Sequence, residues 1–294
     1  MKIVFIGTVL FSYKSLEKLI ALQADIVGVV TKQNSTFNSD FYDLSPLCHQ
    51  HNIPLLHTED INSQANLRWI KEKKPDIIFC FGWSNFIKKP LLELTSMGVV
   101  GFHPAKLPQN RGRHPLIWAL ALGLKKSATT FFFMDEGADS GDILSQKDFT
   151  ITKEDNAQTL YNKVIQISLE QIEEFLPLLK NKIYLRISQD HSKANFWRKR
   201  RNNDGIIDFR MSHNAIFNLV RALSHPYVGA SLLYKEKEIK IWHVKTEQTT
   251  LYSNIESGKI IDIKAKIIHV KCYDGIVTIL EHEFKELPEI GEYL

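Results

Sequence analysis

The chain has 294 residues, of which 44% are hydrophobic, and its formal net charge is +4. This composition favours a soluble globular protein with a buried core, and no apolar run is long enough for a membrane span or a signal peptide. The cations are scattered, so the charge neither requires nor excludes a nucleic-acid surface. Three cysteines without metal-ligand spacing argue against a disulfide framework, and we expect a cytoplasmic protein with no metal site.

The first third of the chain alternates short apolar strands with amphipathic helices. The pattern predicts strands over 2–6, 26–30, 53–56 and 75–81, and helices over 12–22, 43–51 and 63–73. The turn after the first strand has one glycine, Gly7, whereas a dinucleotide fingerprint needs three, so we do not expect a nicotinamide cofactor. A βαβ beginning of this kind predicts a parallel sheet.

Residues 31–46 lack periodicity and predict a loop with one cation, Lys32. A loop that binds a polynucleotide needs several cations to neutralise phosphates, so this stretch argues against a tRNA partner. The strand over 75–81 leads into Gly82-Trp83-Ser84, at the carboxyl edge of the predicted sheet. Trp83 there either fills the core or contacts a ligand, and the sequence leaves both interpretations open.

Residues 101–115, GFHPAKLPQNRGRHP, contain three prolines, two glycines, two histidines and three cations. Such a stretch cannot continue a helix or a strand, so we predict a shaped loop between a buried strand ending at 97–100 and a helix over 116–122 that Gly123 closes. His103 then lies at the exit of a buried strand, where open α/β sheets carry their chemistry.

Residues 134–142, MDEGADSGD, place four acids and two glycines directly after the apolar residues 129–133. Acids clustered at the end of a strand indicate a site. Next, a long amphipathic helix over 156–180 is predicted to pack on the sheet. Residues 183–201 are polar and cationic, and they form either a solvated linker or a site for a diphosphate.

The last third predicts a helix over 212–223 and short strands over 228–233, 239–244, 258–263, 267–272 and 277–281, which favours a small open barrel. The expected fold class is therefore α/β, with a doubly wound, mostly parallel sheet in residues 1–190. A smaller β domain is expected in residues 200–294.

The His-Pro loop that ends in LPQNRG, followed by MDEGADSGD, resembles the signature of the 10-formyltetrahydrofolate-dependent formyltransferases. The resemblance runs from FIGT at 5–8 to KIW at 240–242. FGWS at 81–84, RGRHP at 111–115, and WRKR at 197–200 ahead of DGIID at 204–208 are similar to sugar N-formyltransferases more than to methionyl-tRNA formyltransferases.

This resemblance implies a Rossmann-like catalytic domain, an OB-like C-terminal module, and formyl transfer from 10-formyltetrahydrofolate to the amine of a nucleotide-linked amino-deoxy sugar for surface glycan biosynthesis. It implies that the catalytic residues are His103 and Asp139. The residues implied on the folate side are Phe81, Gly82, Trp83, Arg111, Gly112, Asp135, Gly137 and Asp142. Those implied on the acceptor side are Thr8, Lys106, Arg113, Trp197 and Arg198. The expected partners are small molecules, without nucleic acid or membrane, and a homodimer would be ordinary for such an enzyme.

Formyl transfer to an amine passes through a tetrahedral carbon with a developing oxyanion. The site needs a donor to that oxygen, for which His103 is suited, and a group that takes the proton of the amine. Asp139 either orients the imidazole or relays that proton, and the sequence does not decide between the two roles.

Gly101 departs from the family pattern, in which an Asn two residues before the His donates to the formyl oxygen. The loss of one such donor commonly raises the barrier by about 2.7 to 4 kcal/mol, so Lys106, Asn110 or a bound water would have to replace it. Two alternatives therefore stand beside the sugar enzyme. One is a methionyl-tRNA formyltransferase, and the other is a non-catalytic protein that binds folate or a sugar nucleotide.

Overall fold

The computed structural model describes residues 1–34 and 39–294. These residues form two compact units that interleave along the chain. Unit 1 consists of Met1–Pro115, Ser127–Phe149 and Asn162–Trp197. Unit 2 consists of Leu116–Lys126, Thr150–Tyr161 and Arg198–Leu294. The domain boundaries at 190 and 200 that the sequence suggested stay a prediction.

A seven-stranded sheet forms the centre of unit 1. The first nine strands of the chain are β1 (Lys2–Ile6), β2 (Asp25–Thr31), β3 (Leu55–His57), β4 (Ile77–Cys80), β5 (Val99–His103), β6 (Arg111–Gly112), β7 (Lys126–Phe133), β8 (Ile143–Thr150) and β9 (Phe196–Trp197). The strand order in the seven-stranded sheet is β3-β2-β1-β4-β5-β7-β8. Strands β1 to β5 pair in parallel, whereas β7 runs antiparallel to β5. The predicted mostly parallel sheet is therefore confirmed.

Helices connect these strands close to where the apolar periodicity predicts them. The first six helices are α1 (Leu10–Ala21), α2 (Ser45–Gln50), α3 (Gln64–Glu72), α4 (Lys89–Leu92), α5 (Pro115–Ala121) and α6 (Ala157–Lys180). Ser63 caps α3, because its side chain accepts a hydrogen bond from the main-chain N–H of Asn66. The short helix α4 was not predicted, since four residues give no measurable period.

A cluster of phenylalanines fixes the strands of unit 1 at their carboxyl ends. The rings of Phe5 and Phe81 meet edge to face at 5.6 Å, and those of Phe79 and Phe81 stack at 5.2 Å. Phe131 packs on Phe175 of α6 at 4.9 Å. Aromatic pairs of this kind add about 0.5 to 1.5 kcal/mol each beyond the area they bury. The cluster therefore holds β1, β4 and β7 at one level, beside the sheet edge where the predicted site lies.

The predicted loop 101–115 begins later than expected. Gly101 pairs with Phe132, and His103 pairs with Thr130, so β5 continues to His103. The first residue that cannot donate to the ladder is Pro104, which is where the strand ends. The prediction that the loop begins at Gly101 was therefore wrong, and His103 is held by a strand.

Unit 2 contains a five-stranded antiparallel sheet. Its strands are β10 (Ala230–Tyr234), β11 (Lys237–Gln248), β12 (Ile260–Lys264), β13 (Ile267–Cys272) and β14 (Gly275–His282), in the order β10-β11-β14-β13-β12. Helix α7 (His213–Leu223), capped by Ser212, packs against β11 and β14, and Ile216 and Leu219 are among its buried residues. The predicted C-terminal β domain is confirmed.

Among residues 1–34 and 39–294, no helix combines the length and apolarity that crossing a membrane requires. The same residues contain no group of three His, Cys, Asp or Glu side chains suited to a metal ion. The three cysteines are buried free thiols, and burial raises the pKa of both Cys48 and Cys80 to about 12. At neutral pH both of these thiols are therefore protonated and poorly reactive.

Candidate active site

His103 is the last residue of β5 and is only 4% exposed. Its Nε2 atom lies 2.8 Å from the main-chain oxygen of Asn110. Because a carbonyl oxygen only accepts, Nε2 carries a proton and donates it there. The other ring nitrogen, Nδ1, lies 3.7 Å from Oδ2 of Asp139, which is longer than a hydrogen bond. In the neutral ring, Nδ1 is therefore the basic nitrogen, and it faces a carboxylate.

Asp139 lies in the loop between β7 and β8, with a left-handed backbone at φ 53°. Its Oδ2 accepts a hydrogen bond of 2.8 Å from the main-chain N–H of Gly112. Its main-chain oxygen accepts another of 2.9 Å from Nε2 of Gln189. The carboxylate is thus held by the His-Pro loop, and the backbone behind it is held by a distant segment.

The His-Pro loop needs Gly112 for a steric reason. Gly112 has φ 105°, and a Cβ atom there would overlap the main-chain oxygen of Trp197. This close approach lets β6 pair in parallel with β9, with Arg111 opposite Phe196 and Gly112 opposite Trp197. The glycine therefore brings the loop against a strand from the far end of unit 1.

Residues 188–197, called the 188–197 segment below, join the two loops of the site. Gln189 is 6% exposed, and its Oε1 accepts hydrogen bonds from Nε and Nη2 of Arg111 at 3.3 and 2.6 Å. Its Nε2 donates to the main-chain oxygens of Asp139 and Gly141 at 2.9 and 2.6 Å. One buried amide thus bridges the His-Pro loop and the acid-rich loop.

Asn195 makes a second link from the 188–197 segment. Its Oδ1 accepts from the main-chain N–H of Asn110 at 2.8 Å, and its Nδ2 donates to Oδ1 of Asn110 at 3.2 Å. Its main-chain oxygen accepts from the N–H of Arg111 at 3.0 Å. Asn110, whose carbonyl accepts from His103, is therefore fixed through both its backbone and its side chain.

The residues predicted on the folate side differ in how they are placed. The Phe81 ring is fully buried in the phenylalanine cluster, and its main-chain N–H and oxygen are bonded to Ile6 and Ser12. Gly82 has φ 74°, and its oxygen accepts from Oγ1 of Thr8 at 2.9 Å. Trp83 packs on the apolar cluster around β4, and its buried Nε1 has no hydrogen-bond partner in the part of the chain that the structure describes.

The acid-rich loop is shaped by its own side chains. Oδ1 of Asp135 accepts from the N–H of Gly137 at 3.1 Å and from Oγ of Ser140 at 2.6 Å, which closes a tight turn. Oδ1 of Asp142 accepts from Oγ of Ser188 at 3.1 Å. Asp135 and Gly137 thus form the turn, and Asp142 attaches the loop to the 188–197 segment.

Two residues predicted on the acceptor side lie at the sheet edge. Thr8 is fully buried, with its hydroxyl bonded to Gly82. Arg113 is exposed, and its Nη1 donates to the main-chain oxygen of Ser84 at 3.1 Å. Trp197 takes part through β9, because its main-chain oxygen accepts from the N–H of Arg113 at 3.0 Å. The structure therefore brings Trp197 to the His-Pro loop, which itself carries Arg113.

The other two predicted acceptor residues pair with acids instead. Lys106 lies 2.6 Å from Asp148 and is half exposed. Arg198 belongs to unit 2, where it forms a two-pronged pair with Asp204 at 2.7 and 2.5 Å. Both cations are therefore engaged by carboxylates of this chain.

The space beside Gly101 is filled. A Cβ atom at this position would lie 2.8 Å from Cγ and 3.1 Å from Sδ of Met134, and 3.1 Å from Cζ of Phe132. Met134 therefore occupies the region into which the family's Asn side chain would project. The side-chain oxygen of Asn110 accepts from Nδ2 of Asn195, so the group of Asn110 that could donate to an oxyanion is its Nδ2.

Sequence reasoning missed Gln189 and Asn195. Both lie in a polar stretch without periodicity, and their partners are 50 and 85 residues away. Asn and Gln residues are mostly exposed in folded proteins, so such a residue is expected to be solvated unless its distant partners are known. The one signal available was the length of the stretch, since a 19-residue linker without secondary structure is uncommon inside a compact unit.

Known proteins similar to this chain point to one chemistry. A family model described as "Formyl transferase" matches residues 1–175, and a model described as "Formyl transferase, C-terminal domain" matches residues 199–290. The methionyl-tRNA formyltransferase of Caldanaerobacter subterraneus subsp. tengcongensis is 30% identical over 100% of this chain and 96% of that protein.

Two solved structures share the fold. WlaRD, described as a sugar 3N-formyl transferase, has a TM-score of 0.72 at 16% identity and covers 95% of this chain and 97% of its own. An N-formyltransferase from Helicobacter canadensis was solved in complex with folinic acid and dTDP-3-aminofucose. It has a TM-score of 0.72 at 17% identity, and the match covers 96% of this chain and 99% of that protein. At these identities the likeness establishes the fold alone.

Proposed function

Because this chain belongs to the formyl transferase family, we propose that it transfers a formyl group from 10-formyltetrahydrofolate to the amine of a nucleotide-linked amino-deoxy sugar. The proposed product would serve surface glycan biosynthesis. Family membership supports the transfer of a formyl group. The choice of acceptor rests on the charges of this chain's own residues.

The single observation that carries the acceptor is the charge of residues 31–46. In sequence this stretch has one cation, Lys32, and two acids, Asp40 and Asp43. Its residues 35–38 lie outside those that the structure describes. The ammonium of Lys32 lies 2.6 Å from Glu59 and is mostly buried, so it is already paired. A tRNA needs several phosphate contacts, and this stretch does not supply them.

The basic residues of unit 2 point the same way. Arg198 pairs with both carboxylate oxygens of Asp204, and the Arg200 guanidinium lies 4.6 Å from the ring centre of Trp118. The hydrogen bonds from Arg198 hold the pKa of Asp204 well below its usual range. Residues 199–294 contain 14 Lys and Arg and 13 Asp and Glu. A nearly neutral unit with paired arginines suits a small anionic acceptor better than a polyanion.

The residues at the sheet edge fit a folate by their donors and acceptors. The aminopyrimidinone ring of a folate carries N–H donors, which need oxygen acceptors. The acid-rich loop supplies partly exposed carboxylates at Asp135, Asp139 and Asp142. The Trp83 indole N–H, which has no partner among the described residues, is a donor for a carbonyl oxygen. These residues would hold the formyl donor.

The chemistry at His103 follows from its protonated nitrogen. The attacking amine must lose a proton as the new C–N bond forms, and the neutral imidazole offers Nδ1 as the base. Asp139, 3.7 Å away, would stabilise the imidazolium that results. Since Nε2–H is already donated to Asn110, we assign His103 to proton transfer in preference to oxyanion binding, the role that the sequence suggested.

The test is a mass-spectrometric assay with 10-formyltetrahydrofolate and a panel of nucleotide-linked 3-amino and 4-amino sugars. We expect one panel member to gain the mass of a formyl group with the parent enzyme, and His103→Asn to abolish the gain. Formylation of methionyl-tRNA but of no sugar would overturn the proposed acceptor. If neither the sugars nor methionyl-tRNA were formylated although the protein bound folate, the non-catalytic alternative would be supported instead.

A methionyl-tRNA formyltransferase is the second candidate. It is favoured by the 30% identity to such an enzyme over the whole chain. The two acceptors differ in their response to salt, because each phosphate contact makes binding weaker as salt rises. We expect the KM for the acceptor to change little between 50 and 200 mM salt, whereas a tRNA substrate would show a loss of about 10³-fold or more.

A further inference from the structure

We propose that Asn195 and Gln189 are positioning residues through which the 188–197 segment adjusts both ring nitrogens of His103. Asn195 selects the nitrogen that carries the proton, and Gln189 sets the distance from the other nitrogen to the carboxylate of Asp139. The proposal rests on the formyl transfer of the proposed function but not on the choice of acceptor. The sequence pattern left this segment as a linker or a diphosphate site, whereas the structure places its side chains on both loops of the site.

The first step concerns Asn110. Its backbone is left-handed at φ 62°, a conformation that asparagine adopts more readily than most residues with a Cβ atom. Asn195 holds it through the main-chain N–H at 2.8 Å and the side-chain oxygen at 3.2 Å. In that conformation the carbonyl of Asn110 accepts from Nε2 of His103. Asn195 thus keeps in place the acceptor that selects the Nε2–H tautomer.

The second step concerns Asp139, which is also left-handed, at φ 53°. Nε2 of Gln189 holds its main-chain oxygen, and the same nitrogen holds the oxygen of Gly141 on the other side of the turn. Gln189 is anchored in turn by the buried Arg111, whose Nη2 also donates to Nδ1 of His191 at 3.1 Å. Gln189 therefore sets where the carboxylate stands relative to Nδ1.

Both ends of the His103 ring are therefore adjusted from one segment. Asn195 acts through Asn110 at Nε2, and Gln189 acts through Asp139 at Nδ1. Of the two, only Asn195 determines the tautomer, because it controls the acceptor at Nε2. Gln189 controls the distance from Nδ1 to the carboxylate. Neither side chain forms a hydrogen bond with the imidazole itself, which is why we class both as positioning residues.

Matched controls exist elsewhere in the same unit. Gln171 is a fully buried amide that accepts from Oγ1 of Thr129 and donates to the oxygen of Thr129 and to Oγ of Ser145. Asn66 donates from its side chain to Oγ1 of Thr58 and to the oxygen of Asp60. Both bridge chain segments as Gln189 and Asn195 do, but neither contacts the two loops of the site.

The first measurement is independent of turnover. In protein labelled with ¹⁵N-histidine, with the signal of His103 assigned by its loss in His103→Asn, we expect a protonated Nε2 and a bare Nδ1 in the neutral ring. Asn195→Ala should give a mixture of tautomers, while Asn66→Ala and Gln171→Glu keep the parent pattern. A proton on Nδ1 in the parent, or an unchanged tautomer in Asn195→Ala, would overturn the proposal.

The second measurement is kinetic. We expect Asn195→Ala and Gln189→Glu to lower kcat by about 10- to 100-fold, with the KM for both substrates little changed, because the reacting groups are misplaced while binding is kept. The controls should keep the parent's kcat. Asn195→Asp retains the acceptor for the N–H of Asn110, so its kcat should lie between those of the parent and Asn195→Ala. It replaces Asn195→Ala in the test if that variant does not fold. A loss of kcat as large in the controls would contradict the proposal.

If the parent formylates no acceptor, the proposed function fails while the tautomer measurement still decides the proposal.

Discussion

Two strand exits at the same edge of the sheet are built in opposite ways. After β1 and β4, Oγ of Ser12 accepts from the N–H groups of Thr8 and Val9 at 3.1 Å and donates to the oxygen of Phe81 at 2.5 Å. This closed exit satisfies its polar groups with its own neighbours. At the carboxyl end of β5, His103 faces Asp139 at 3.7 Å, and the 188–197 segment holds the backbone around both residues.

The difference shows that hydrogen bonds stabilise the fold at one exit, whereas at the other exit they position side chains for a reaction. At the closed exit each hydroxyl is used by adjacent main chain, so nothing remains to react. At the open exit the hydrogen bonds go to the backbone around the reacting pair, which leaves Nδ1 of His103 directed at a carboxylate. Substitutions at the two exits should therefore change different quantities.

The largest effect is expected at the open exit. His103→Asn keeps a polar side chain of similar size but removes the base, so kcat should fall by about 10²- to 10⁴-fold. The free energy of unfolding should stay near that of the parent. Initial-rate assays and urea unfolding of the same preparations measure both. A variant that retains full kcat would remove the distinction between the two exits.

The next effect tests the packing beside the open exit. Gly101→Asn forces a side chain against Met134 and Phe132, and we expect it to destabilise the protein by about 1 to 3 kcal/mol. Combining it with Met134→Ala should relieve the clash. If the added amide reaches the formyl oxygen, the double variant should have a higher kcat than Met134→Ala alone. Urea unfolding and initial rates should be measured for the parent, the two single variants and the double variant, which together form a double-mutant cycle. If Gly101→Asn were as stable as the parent, the packing argument would be wrong.

The closed exit should respond in stability. Ser12→Ala leaves the N–H groups of Thr8 and Val9 and the oxygen of Phe81 without their shared partner. Buried groups left in this state cost about 1 to 3 kcal/mol, so the urea midpoint should fall. We expect kcat at 25 °C to remain close to the parent's. A drop in kcat like that of His103→Asn would mean that this exit also takes part in the reaction.

The smallest effect concerns the loss of stability at low pH that comes from Asp190 in the 188–197 segment. Hydrogen bonds from Ser192 and Lys193 lower the pKa of the exposed Asp190 to about 2, below its usual value of 3.8. A lowered pKa in the folded state stabilises the fold above pH 3.8 and loses that contribution as the pH falls towards 2. Thermal melting between pH 5 and 2 should show a slightly smaller acid loss in Asp190→Asn than in the parent. Identical pH curves would show that this carboxylate does not contribute.

The sequence predicted most elements of the fold, and it singled out two residues, His103 and Asp139, whose side chains lie 3.7 Å apart in the structure. Buried strands were easy to recognise in the sequence because both of their faces are apolar, as in IIFC of β4. His103 and Asp139 were predicted because each belongs to a motif expected directly after a strand. The end of β5 was misjudged because the composition of residues 101–115 predicted a loop throughout, although Gly101 pairs in the ladder with Phe132.

What the sequence could not predict was how charged and polar side chains choose among distant partners. Lys106 and Arg198 were assigned to the acceptor, but they lie against Asp148 and Asp204. Gln189 and Asn195 looked like solvated residues and are structural links of the site. Ion pairs and buried amides have no period along the chain, so only the folded arrangement reveals them.

The parallel pairing of β6 with β9 also has a consequence for how the protein is made. Arg111 pairs with Phe196, and Asn195 bonds to Asn110, at a separation of 85 positions in sequence. The strands β1 to β5 can pair while the ribosome is still at work, but the ring of His103 gains its fixed orientation only after residue 197 has emerged. Contacts this far apart in sequence form late. Catalytic competence is therefore the last property that this unit acquires during synthesis, and a nascent chain stalled before residue 188 should hold a sheet without an active site.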